Sequence, residues 1–103
     1  MKKAQLLPKE LLEKLPRLGE EEVKNPMVLV KYFYPDFSWT WYGISFDPMD
    51  EIFFGFVDGD FQECGDFSLK ELIENRGKSG CEIERDLYFQ PIRLDDLTKK
   101  LKR

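Results

Sequence analysis

Apolar residues recur along this chain with two different periods, and each change of period marks an element. Between residues 6 and 15, Leu7, Leu11, Leu12 and Leu15 fall at helical spacing. Pro8 suits the first turn, where its missing N–H is no loss, and Pro16 stops the helix. Residues 17–26 hold Gly19, the acidic run Glu20-Glu21-Glu22 and Asn25-Pro26, the pattern of a solvated loop. The period then drops to two. MVLVKYFY at 27–34 is β-branched and aromatic, and it closes at Pro35-Asp36. SWTWYGISFD at 38–47 alternates. Ser38, Thr40, Tyr42, Ile44 and Phe46 are expected on one face, with Trp39, Trp41, Gly43 and Ser45 on the other. EIFFGFVD at 51–58 follows the turn residues Asp47-Pro48-Met49-Asp50, and a short strand around 61–66 follows the turn Asp58-Gly59-Asp60.

Helical spacing returns after Ser68, which stands with Glu71 in the capping-box pattern. Leu69, Leu72 and Ile73 form the apolar stripe of this helix, and Gly77 after Arg76 is its natural stop. EIERDLYFQ at 82–90 predicts a last strand, ended by Pro91. Leu94, Leu97 and Leu101 predict a C-terminal helix, with Asp95 and Asp96 near its start and Lys99, Lys100 and Lys102 near its end, as the helix dipole favours. Consecutive strands with short connections pair antiparallel. The expected fold is therefore α+β: a mainly antiparallel sheet of four or five strands, with about three short helices packed mostly on one face. A chain of 103 residues fits a single domain spanning 1–103.

Four segments carry a resemblance when taken together: LLPKELLEKLP, VKYFYPDFSWTWYGISFDP, FFGFVDGDFQECGDFSLKEL and IERDLYFQPIRL. With the runs Trp39-Thr40-Trp41-Tyr42, Phe53-Phe54-Gly55, Phe67-Ser68-Leu69 and Glu84-Arg85-Asp86-Leu87 in this order, the chain resembles the family named domain of unknown function 2958 over nearly its whole length. The resemblance brings no catalytic residues. It implies an accessory role linked to mobile genetic elements. The chain departs from many relatives at Gly77-Lys78-Ser79-Gly80-Cys81, where they carry a Gly-Pro-Leu-Gly-like turn.

Charge changes the picture more than composition does. The net charge is -4, yet residues 4–98 contain all 20 acids while six bases sit at the extreme ends. Between Tyr32 and Leu69 there are eight acids, 13 of the 15 aromatics and no basic residue. A nucleic-acid binder shows the opposite, a basic stripe across its body, so nucleic acid is expected at most as a weak contact of the tail Lys99 to Arg103. The chain has no histidine, which excludes His-based general bases, His metal ligands and Ser-His or Cys-His pairs. No apolar run approaches the roughly 20 residues of a bilayer span. Charges at Lys9, Glu10, Glu13 and Lys14 interrupt the N-terminal leucines, so a cytoplasmic protein without membrane contact is expected. Cys64 and Cys81 form no CxxC pair. They read as two reduced thiols, with a disulfide as the alternative.

The residues single out three candidate sites. Trp39, Trp41 and Tyr42, with the acids Asp58 and Asp60, suit a surface that binds a protein partner with a basic face. Glu82, Glu84 and Asp86 would line one face of a strand at alternate positions, where carboxylates can raise one another's pKa or hold a hard cation. Arg85 would then point the other way, among apolar residues, and need a carboxylate partner. Asp47, Asp50 and Glu51 with Asp58, Asp60 and Glu63 match no calcium loop, and Gly55, Gly59 and Gly65 match no phosphate-cradling loop. The expected function is a small accessory or protein-binding module without a cofactor, metal or enzymatic activity. The alternative is a metal-assisted hydrolase or nuclease using Glu82, Glu84 and Asp86.

Overall fold

The computed structural model describes residues 1–102. The first apolar run divides into two strands, β1 (Met27–Val28) and β2 (Val30–Phe33), that take different neighbours. After these come β3 (Thr40–Asp47), β4 (Ile52–Asp58), β5 (Gln62–Ser68), β6 (Glu84–Arg85) and β7 (Ile92–Arg93). A five-stranded antiparallel sheet runs in the order β5-β4-β3-β2-β6, and β1 and β7 form a separate two-stranded sheet. Leu29 links the two, because its N–H donates to the Gly43 carbonyl at 2.9 Å.

Of the four helices among the described residues, three cover one face of the main sheet. They are α1 (Lys3–Leu6), α2 (Lys9–Lys14) and α3 (Leu69–Glu74). Leu6, Leu7, Leu15, Leu69 and Leu72 pack there with Val30, Tyr32, Trp41, Phe46, Phe53 and Phe67. The Tyr32 hydroxyl donates to the Leu6 carbonyl at 2.6 Å, and this bond ties α1 to β2 through the core. The fourth helix, α4 (Leu94–Leu101), covers the opposite face, where Leu97 meets Val28, Tyr42, Ile44 and Phe56. The α+β expectation, with an antiparallel sheet and helices mostly on one side, is borne out.

Four expectations are corrected in detail. The helix expected over 6–15 is two helices, because a residue before proline is pushed out of the helical region. Leu7 therefore ends α1, and Pro8 caps α2. The alternation expected through 38–47 slips at Ile44. This residue is a bulge, so Phe46 joins Trp41 on the first face instead of sharing the face of Tyr42. The strand expected over 82–90 is only Glu84–Arg85. Asp86 ends it, since its carboxylate accepts the Tyr88 N–H at 2.9 Å and turns the chain. The helix after Ser68 stops at Glu74 rather than at Gly77.

Gly77 has a different use. It lies against the Asp36 carboxylate, and a Cβ there would fall 1.6 Å from Asp36 Oδ1. The same carboxylate accepts the backbone N–H groups of Ser79 (2.6 Å) and Cys81 (3.4 Å) and so shapes the 75–83 loop. Desolvation works against this charge, but the N–H donors outweigh it and hold the Asp36 pKa below the usual carboxylate range. Across the sheet, the buried Ser45 hydroxyl donates to Glu21 at 2.5 Å and pins the 17–26 loop over the second face.

An aromatic, acidic groove at the sheet edge

The five-stranded sheet ends at β5, and a groove crosses the face of β3, β4 and β5 where the β4–β5 turn passes the entry to β3. Trp39 lies just ahead of β3 and seats its indole against Gly59. Its Nε1–H points at Asp60 Oδ1, at 3.4 Å. Trp41 stands behind it, 6.0 Å between ring centroids and 6% exposed, and continues through Tyr34 (5.3 Å) to Phe37. Phe61 projects from the turn on the other side and is 78% exposed. Between them lies a groove of about 290 Å³, whose charged lining is Asp60, Glu63, Asp66 and Glu71, with no basic residue among the described ones.

Of the residues singled out from the sequence, the groove brings together Trp39, Trp41 and Asp60 with Glu63 of the third set. Tyr42 and Asp58 lie elsewhere. Tyr42 is buried on the opposite face between Phe56 and Phe89. Burial pushes its phenol up to about 12, and the nearby charges of Asp58 and Asp86 add to the shift. Sequence reasoning missed Phe61, Asp66 and Glu71 as groove residues. Phe61 carried a usable signal, because it is a lone large apolar side chain among Asp60, Gln62 and Glu63. In the sequence Glu71 shows only as half of a capping box, and Ser68 Oγ does accept the Glu71 N–H at 3.0 Å.

The second set does not converge. Glu82 pairs with the amine of Met1, whose hydrogen bond and charge hold its pKa below the ordinary value. Asp86 faces Lys31 Nζ at 3.8 Å. Glu84 shares a shallow pocket with Glu82, Lys2 and Gln5. Arg85 donates from Nε to the Gln5 carbonyl at 2.8 Å rather than to a carboxylate. Among the described residues, no group of three or more His, Cys, Asp or Glu side chains is placed to hold a metal. In the third set, Asp47 accepts the Met49 N–H at 2.9 Å and Glu51 pairs with Lys3 at 2.5 Å, so both serve the β3–β4 turn and its rim. Lys99 and Lys100 sit on the last turn of α4, while Arg103 of the basic tail lies outside the described residues. Cys64 and Cys81 are free thiols. No helix among the described residues is long and apolar enough to cross a membrane.

The second face of β5 adjoins a larger, mainly apolar cleft of about 480 Å³, walled by Leu18, Val23, Phe54 and Leu94 with Glu21, Glu22 and Asp66 also in its lining. An edge strand flanked by an acidic aromatic groove and an apolar cleft, on a helix-covered antiparallel sheet, defines a small α+β protein whose distinctive surface is that edge. The chain belongs to the family described as protein of unknown function (DUF2958), whose model matches residues 4–99. No curated protein and no solved structure matches it.

Proposed function

We propose that the protein is a binding module that engages a basic surface of a protein partner through the groove between Trp39 and Phe61. One observation carries this reading: a solvent-exposed phenylalanine and a half-buried tryptophan border a groove whose charged side chains are all acidic. Leaving Phe61 in water forgoes the roughly 1.5–3 kcal/mol that burying such a side chain yields, and a partner would recover it. Trp39 and Trp41 supply a rigid aromatic wall, the kind of anchor on which interface energy concentrates. Asp60, Glu63, Asp66 and Glu71 supply one-sign steering, which speeds encounter with cationic partners and rejects anionic ones.

The test is affinity capture from a lysate of the source organism, comparing the protein with its Phe61→Ala variant and identifying retained proteins by mass spectrometry. A partner of basic surface should be retained by the parent. The purified partner should then bind Phe61→Ala about 10- to 100-fold more weakly, the ratio expected for losing one buried aromatic anchor. Equal binding of the purified partner by both proteins would refute the assignment of the groove.

A further inference from the structure

The open edge of β5 indicates how such a partner would be held. Two hydrogen bonds fix the phase of the β4–β5 ladder: Gly59 N–H to the Phe61 carbonyl at 3.1 Å, and Leu69 N–H to the Glu51 carbonyl at 2.9 Å. With Phe53 opposite Phe67 and Gly55 opposite Gly65, residues 61, 63, 65, 67 and 69 turn their backbone polar groups toward β4. The N–H and C=O groups of Gln62, Cys64 and Asp66 therefore point away from the sheet, and β5 is its terminal strand. This edge is seven residues long and its register has no break. Natural sheets guard such edges with charged side chains, lysine above all, or with proline, bulges or short strands. Of these β5 has only the acids Glu63 and Asp66, a guard that repels acidic strands and admits a basic one.

Resting on the groove reading above, we infer that the partner is an extended, basic segment that adds a sixth strand to β5. Side chains of an added strand alternate between the two faces. On one face they meet the acidic aromatic groove, which suits lysine or arginine; on the other they meet the apolar cleft of Leu18, Phe54 and Leu94, which suits valine, isoleucine or leucine. The same charges disfavour a second copy of this chain, because pairing β5 with β5 would bring Glu63 and Asp66 against their own kind.

The test uses the intact protein and a synthetic octapeptide of alternating lysine and valine, with an alternating glutamate–valine octapeptide as control. Amide exchange followed by NMR should slow at least tenfold at Cys64 and Asp66 on adding the lysine peptide, and less at Glu63 and Gly65, which already bond to β4. Two further peptides, N-methylated at all valines or at all lysines, remove one backbone edge each. At least one of them should bind tenfold or more weakly than its parent. Binding that leaves the Cys64 and Asp66 amides exchanging freely, or that tolerates both methylations, overturns strand addition while leaving the groove reading intact. No binding of the lysine peptide up to millimolar concentration, or a β5-to-β5 dimer in sedimentation, also overturns it; the groove reading then rests on partner capture alone.

Discussion

Replacing Gly59 with alanine tests whether Trp39 holds the groove wall in place. Gly59 does not use the left-handed region, so its backbone accepts an alanine without strain. On backbone entropy alone the change would stabilise the fold by about 0.4–1 kcal/mol. The added methyl, however, would lie 2.7, 2.8 and 2.9 Å from three atoms of the Trp39 indole. Carbon atoms are comfortable at about 3.5–4.0 Å, so the ring must retreat by roughly 1 Å. These are ring-fusion and adjacent carbons, so the whole indole has to move and no flexible tip can yield instead. The move separates Trp39 from Asp60 and loosens its contact with Trp41, a ring pair worth about 0.5–1.5 kcal/mol. The two effects nearly cancel, and we expect a net change in stability within about 1 kcal/mol. The optical change should be larger. Trp39 and Trp41 are the only tryptophans, so intrinsic emission reports this groove alone. Gly59→Ala should shift the emission to the red and raise quenching by acrylamide, while urea denaturation remains cooperative with a similar midpoint. Unchanged emission in a folded variant would refute the seating of Trp39.

Three further outcomes follow from the local chemistry. Ser68→Ala removes the oxygen that accepts the Glu71 N–H, and should cost about 1 kcal/mol in chemical denaturation, while Ser68→Asp stays near the parent. Tyr42 is kept neutral in the fold by burial, with its pKa raised from 10.0 to about 12, so its contribution to stability is intact below pH 10 and lost as pH rises through 12. Tyr42→Phe should flatten that alkaline branch of a pH–stability curve; an unchanged branch would contradict the assignment. Asp36 has the opposite sign: its folded pKa is depressed, so its contribution is present above the ordinary value of 3.8 and lost as pH falls through the lower folded one. Asp36→Asn should weaken that acid branch and speed amide exchange at Ser79, whose N–H the carboxylate accepts.

Much of the sheet was legible because strand signals here are local. Alternation, aromatic content and the turns at Asp47-Pro48 and Asp58-Gly59 mark β3, β4 and β5 to within two residues of their ends. What was not legible depends on contacts between distant segments. The bulge at Ile44 inverts the face of Phe46, and strict alternation carries no sign of it. The 82–90 segment alternates like a strand, but its ladder with β2 is only Glu84–Arg85, because Asp86, after donating its N–H to the Lys31 carbonyl, accepts the Tyr88 N–H with its carboxylate and turns the chain away. The carboxylates Glu82, Glu84 and Asp86 depended on that strand, and they part company when it ends, Glu82 toward the Met1 amine and Asp86 toward Lys31. The excess of acids and aromatics between Tyr32 and Leu69 was visible as composition. Which of them share a surface was not: Asp58 and Asp60 are two residues apart, yet one is beside Tyr42 and the other beside Trp39.

That separation sharpens the most direct measurement. With a captured partner in hand, association and dissociation rates are recorded by surface plasmon resonance at several salt concentrations for the parent, Asp60→Asn with Glu63→Gln, and Asp58→Asn. Exposed charges act over about 10 Å at 0.1 M salt, so charges in the groove should govern encounter and those behind the sheet should matter less. The groove double variant should associate several-fold more slowly at low salt with nearly unchanged dissociation. Asp58→Asn should lose less, and the differences should vanish at high salt. An association rate indifferent to both the groove substitutions and salt would contradict the account.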